Sequence, residues 1–260
     1  MLRQFFAVCL LMIFANVVYG QERNQRDAAG LRQGYWEAVD SRGMLVYAGY
    51  FKDDKPIGEM IRFFPTGDLR AIMNYDDTGD NVRAQFFWPT SGRLAAEGNY
   101  IDTQRDSVWQ FYNQEGILML RVQYSTGKRH GTEQKFYNDG RSVAEEISWS
   151  NDQKDGAWKQ YFRNGQLKIS ANHINDKLEG SFSSFFPDGT KEIEGVYENG
   201  LHNGNWIRYN EEGEYIVTIK YENGVITNME ELEETEILQF LRTLEMEEYI
   251  PERTIDDLFR

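Results

Sequence analysis

The chain has 260 residues with only 23 glycines and 5 prolines, too few for a collagen-like or low-complexity protein. Sixteen phenylalanines, fifteen tyrosines and six tryptophans stand within a hydrophobic content of 40%, so the apolar surface is carried mostly by large rings, which favour strands over helical bundles. A net charge of −14 disfavours nonspecific attraction to nucleic-acid phosphates or anionic headgroups, although it leaves room for a local basic patch.

Residues 1–20 read as a signal peptide. Arg3 is the one charge before Glu22, the stretch from Phe5 to Tyr19 is almost wholly apolar, and Val18-Tyr19-Gly20 precedes the polar run Gln21-Glu22-Arg23-Asn24. A signal core of this length is short for a membrane span. Cleavage is expected after Gly20, giving a periplasmic, cell-surface or secreted product with no membrane insertion; an uncleaved N-terminal anchor is the alternative. The only cysteine, Cys9, lies inside this segment. The mature chain is thus expected to have no thiol, which removes disulfides, cysteine metal sites and cysteine nucleophiles together.

Residues 21–33 read as a linker, and a repeat array is expected from 34 to 228. Glycines recur at 43, 67, 92, 116, 140, 165, 189 and 213, with spacings of 24 or 25. A second series, Gly34, Gly58, Val82, Ser107, Gly131, Gly156, Gly180 and Gly204, runs in phase. A third is aromatic, at Tyr50, Tyr75, Tyr100, Tyr124, Trp149, Tyr197 and Tyr221, with His173 in the sixth slot. Fixed-period self-similarity is the mark of a repeat architecture. Each unit reads as a β-hairpin: a strand with spaced aromatics, a polar turn such as Arg163-Asn164-Gly165 or Pro187-Asp188-Gly189, a second strand, and another polar turn. With every connection short, successive strands are expected to be antiparallel neighbours. The predicted fold is all-β: an elongated single-layer antiparallel meander of eight hairpin repeats of ~24 residues, closed by a C-terminal α-helical cap.

The unit resembles the MORN repeat, and more closely the bacterial variant of the YwqK-like antitoxin family. The residues that carry the resemblance are the Gly-x-Trp-x-x-Tyr openings at 156–161 and 204–209, the looser Gly58-x-Met60-x-x-Phe63 and Gly180-x-Phe182-x-x-Phe185, and the closings at 124–131 and 197–204. The resemblance implies a binding scaffold whose partners differ between members. Two units depart from the pattern. The third has Val82 and Ala84 in place of glycine and tryptophan, with an extra residue before Gly92, and the fifth has Glu133 in the tryptophan slot. Such irregular units are where the array is expected to bend or bind.

Residues 229–260 carry 11 acidic and 3 basic side chains. Ile237, Phe240, Leu241 and Leu244 at helical spacing predict an amphipathic helix of ~18 residues ending before Pro251, and Thr254 with Asp257 predicts a second short one. An open sheet exposes its last edge, so this segment is expected to cover the strand Tyr215 to Tyr221; the alternative is an acidic tail that docks a basic partner.

No catalytic, metal-binding or cofactor-binding residues are assigned. His130, His173 and His202 have no metal-ligand spacing, no Ser-His-Asp set is visible locally, and the glycines follow no strand-to-helix phosphate loop. The chain is expected not to be an enzyme. The aromatics Trp36, Trp109, Trp158 and Trp206, with Tyr112, Tyr161 and Tyr209, read as a ladder stacked on itself, with sugar stacking as the alternative. Phe86, Phe87 and above all Trp88 fit that ladder less well and are the first candidates for a ligand-binding surface. The expected function is an exported scaffold that binds another protein and not nucleic acid. A polysaccharide-binding module and an antitoxin or immunity protein are the alternatives.

Overall fold

A computed structural model describes residues 22–248. The signal-like segment and the helix expected around Thr254 to Asp257 lie outside the described residues. The chain divides into two compact units at Gly116 and Ile117. In the first unit, β1 (Gln25–Arg26), β2 (Arg32–Val39), β3 (Leu45–Lys52), β4 (Lys55–Phe63), β5 (Leu69–Tyr75), β6 (Asn81–Phe87), β7 (Leu94–Ile101) and β8 (Gln104–Tyr112) follow in order, each pairing antiparallel with the next.

The second unit runs through β9 (Leu118–Ser125), β10 (Lys128–Phe136), β11 (Val143–Ser150), β12 (Gln153–Tyr161), β13 (Leu167–Ile174), β14 (Lys177–Leu178), β15 (Gly180–Phe185), β16 (Lys191–Glu198), β17 (Leu201–Tyr209), β18 (Tyr215–Glu222) and β19 (Val225–Ile226). Every pairing is again antiparallel. A short 3-10 turn, Met229–Glu231, leads into the helix α1 (Glu234–Glu248). The architecture is the expected antiparallel meander of hairpins with a C-terminal helix. The strand number exceeds sixteen for two reasons: β1 and β19 are added at the ends, and one strand is split at Glu179 into β14 and β15.

The two glycine series have different jobs. Within a hairpin, Gly43 N–H donates to the Asp40 carbonyl at 2.9 Å, while Asp40 N–H donates to the Met44 carbonyl at 2.8 Å. This is a three-residue turn closed by a residue at positive φ, +79° at Gly43, where a side chain would be strained. The same pair of bonds recurs at Phe64/Gly67, Phe162/Gly165, Phe186/Gly189 and Asn210/Gly213, whereas at Tyr137/Gly140 the Tyr137 N–H reaches the Ser142 carbonyl and the turn is one residue longer. Gly204 of the second series also has positive φ, +68°, and β16 and β17 shift register between Glu194 and Val196 in the pairing just after it. Val82 occupies that slot in the third unit. There β5 and β6 pair without interruption from Ala71↔Phe86 to Tyr75↔Val82, and Val82 is buried. Ser107, the other non-glycine in this series, keeps positive φ, +60°, and the register shift between β7 and β8, so the bulge goes with the left-handed backbone, which the branched Val82 does not adopt.

The turns between hairpins stack on one another. Asp53 and Asp54 have φ of +52° and +65°, and Asn151 and Asp152 have +52° and +70°, as a two-residue hairpin turn requires. The second aspartate reaches back one repeat: Asp54 Oδ1 accepts Arg32 N–H at 2.9 Å, Asp152 Oδ1 accepts Arg129 N–H at 2.9 Å, and Asp176 Oδ1 accepts Lys154 N–H at 2.7 Å. Its own N–H donates to the carbonyl of the same residue in each case.

One sheet face holds the core. In the second unit Ile147, Trp158, Ile169, Phe182, Ile193, Trp206, Val217 and Ile219 form a single buried cluster. Phe182 stacks on Trp206 at 5.3 Å between centroids. Trp109 and Phe111, centroids 6.0 Å apart, do the same work in the first unit. The tail divides its task differently from the expectation. The outer edge of β18 is met by β19 and the Asn228 side chain, whereas α1 lies on the aromatic face, with Phe240 and Leu244 buried in the cluster and Phe240 edge-on to Trp206 at 6.4 Å. A helix has no free backbone groups to pair with an edge, but it has an apolar stripe to bury.

Candidate interaction surface

The sequence singles out Phe86, Phe87 and Trp88, and the structure sets all three at the end of β6. Each is half-buried. Phe86 stacks on Trp109 at 6.3 Å on the core face. Trp88 opens the turn, in the slot held by Phe64, Tyr137, Phe162 and Phe186 elsewhere. Its Nε1–H donates to the Tyr112 carbonyl at 3.1 Å, and Tyr137 Oη–H donates likewise to the Tyr161 carbonyl at 2.6 Å. Trp88 thus ties its turn to the next repeat.

The tryptophans and tyrosines of the ladder point to opposite faces, because they are three residues apart on a strand. Trp109 and Trp206 are 1% and 0% exposed, and Trp158 is buried as well, so these rings have no flat face open for a sugar. Cations close the rim of this face: the Arg129 guanidinium lies 3.5 Å from the Trp149 ring centroid, and that of Arg32 lies 3.9 Å from Phe51.

The tyrosines meet water on the other face, and each is held by a glutamate one strand back. Tyr112 Oη–H donates to Glu97 at 3.0 Å, Tyr161 to Glu146 at 2.8 Å, and Tyr209 to Glu194 at 2.8 Å. In the first unit Gln110 also accepts from Tyr112, at 2.7 Å. In the second, Arg121 donates to Gln134 at 3.1 Å, Gln134 to Glu146 at 2.7 Å, and the Lys191 ammonium sits 2.6 Å from Glu194. Burial, then the bond to Glu146, pushes the Tyr161 hydroxyl up to about 12. The Lys191 and Tyr209 bonds hold the Glu194 carboxyl below its usual range. A groove of about 310 Å³ opens beside this network, lined by Ser142, Val143, Glu146, Tyr161, Arg163 and Asn164. This face is a lattice of donors and acceptors already held in place by one another. Nothing in the aromatic spacing alone pointed to it; the signal was the glutamate fifteen residues before each tyrosine.

The core face also contains an ionic break. Glu133, in the tryptophan slot, is 6% exposed, and Glu145 is buried beside it. Glu145 accepts from Trp158 Nε1–H at 2.9 Å and lies 2.6 Å from Lys135 Nζ. Glu133 has Arg129 at 3.9 Å. Burial pushes the Glu133 carboxyl up, against the pull of Lys135 and Arg129. His173, in contact with Trp158 at 5.7 Å between centroids, has its pKa lowered by burial and then by Lys154. Among the described residues no group of three or more His, Cys, Asp or Glu side chains could hold a metal ion, and no helix is long and apolar enough to cross a membrane.

The model of the MORN repeat variant matches this chain at residues 56–77 and 154–175, one stretch in each unit. No curated protein matches it. Among solved structures, one titled "Crystal Structure of TarM" is similar at 14% identity over 39% of this chain and 20% of that one, with a TM-score of 0.28. This chain therefore spans about a fifth of that protein's length, and a likeness so slight carries no argument.

Proposed function

We propose that the chain is an exported, non-catalytic repeat scaffold that binds another protein through the polar face of its hairpins. One observation carries this reading: Trp109, Trp158 and Trp206 are consumed as core, while the opposite face presents tyrosines, glutamates, glutamines and arginines held by mutual hydrogen bonds. Side chains ordered before binding lose little freedom on binding, and Tyr and Arg are the residues enriched at interface centres. The MORN-variant matches support a repeat scaffold, and the signal-like residues 1–20 support export.

Since Cys9 lies in the signal-like segment, a cysteine introduced at Ser183 or Lys159 on the polar face gives a single crosslinking point in the mature chain. Crosslinking in the native cell followed by mass spectrometry should recover one protein from both sites and none from a cysteine at the turn residue Glu212. Recovery of glycan alone would sink the reading. Export is checked separately by the N-terminus of the purified native protein, expected at Gln21; a cytoplasmic chain beginning at Met1 contradicts it.

A further inference from the structure

The two outermost hairpin strands are closed by the same device. At the first, Asn24 donates its backbone N–H to the Tyr35 carbonyl at 2.9 Å, and its Oδ1 accepts Glu37 N–H at 2.9 Å. At the last, Asn228 Oδ1 accepts Lys220 N–H at 2.8 Å and its Nδ2–H donates to the Thr218 carbonyl at 3.0 Å. Each asparagine occupies edge groups of β2 or β18 that face away from the neighbouring hairpin strand. Asn24 adopts positive φ, +57°, to do so, and Asn228 is buried.

What these asparagines displace follows from the repeat. Val217 and Thr218 stand in the slots of Ile193 and Glu194, and Ala38 and Glu37 in those of Arg208 and Ile207. Since Ile193 pairs with Arg208 and Glu194 with Ile207, β18 of one copy and β2 of another are complementary in the register that already joins hairpin to hairpin. Such a contact is head-to-tail and open-ended. We propose that β1 with Asn24, and β19 with Asn228, are stops that keep a second copy of this chain from adding to either end.

The proposal is tested on the purified chain by light scattering across a wide concentration range. Each new contact needs one free β18 and one free β2. A variant lacking residues 22–28, which frees the outer edge of β2, and a variant with Val225-Ile226-Thr227-Asn228 replaced by a Gly/Ser segment of equal length, which frees that of β18, should therefore each stay monomeric, their equimolar mixture should stop at a dimer, and the double variant should grow in mass with concentration. Adding Ile216→Lys, a charge on the β18 edge, should return the double variant to monomer. A single variant that self-associates, or a folded double variant that stays monomeric, overturns the proposal. If either variant loses the sheet circular dichroism of the parent, Asn24→Pro with Arg26→Pro, or Ile226→Pro with Asn228→Ala, takes its place, since proline has no N–H to give the edge, and the mixing result is read in the same way.

Discussion

Trp206 lies flat against Gly195 on the preceding strand, and Trp109 lies on Gly98 in the same way; a Cβ at either glycine would overlap the ring. The backbone at Gly195 is ordinary for any residue, so the requirement is purely one of space. Gly195→Ala should cost about 2–4 kcal/mol, in the range of an overpacked core, whereas Gly204→Ala, with open space but positive φ, should cost about 1–2 kcal/mol. Urea denaturation of the two variants checks the order. Glu133 poses the opposite problem. Its folded pKa is raised by burial, so its contribution is present below its unfolded pKa and is lost as pH rises through the folded one. Glu133→Gln should therefore be more stable than the parent at neutral pH, with the difference vanishing in acid; equal melting temperatures at both pH values would refute this. The sequence shows Glu133 out of pattern, but not its burial beside Glu145, which depends on how β10, β11 and β12 align.

At the scale of the element, repeat logic and structure disagree about Val82. The repeat pattern alone suggests that glycine there restores the array. The uninterrupted β5–β6 pairing and the burial of Val82 predict instead that Val82→Gly loses about 1.5–3 kcal/mol of burial and strand propensity, read as a lower urea midpoint. The turns are the most legible elements, because Asn-Gly and Asp-Gly carry their conformation locally. The Asp-Asp and Asn-Asp turns at 53–54 and 151–152 work for a reason the local sequence does not show: the second aspartate bonds to the backbone of a residue 22 or 23 positions earlier. Asp152→Ala should cost about 1–2 kcal/mol through the lost bonds to Arg129, with Asp139→Ala, whose bonds stay within its own turn, as the local comparison. Helix α1 was visible from the spacing of Ile237, Phe240, Leu241 and Leu244; that it seats on the aromatic face and not along the edge strand was not.

At the scale of the molecule, stability in a repeat array is shared between neighbours. Phe240→Ala removes a ring buried against Trp206 and should cost about 3–5 kcal/mol where the helix packs. Hydrogen exchange should show lost protection over residues 234–248 and the strands β17 and β18, fading toward β9 and leaving residues 22–116 unchanged. Uniform loss along the chain would mean a single cooperative unit. The sequence by itself determined the period, the number of hairpins, their antiparallel order and the C-terminal helix, because these depend on turn residues and on spacing within a few positions of one another. Only the tertiary structure decided which face is core, where the helix seats, which glycines bulge a strand and that an asparagine closes each outer strand. Aromatics stand on both faces, and a ring is core or surface according to what the next strand, a cation or the helix lays over it.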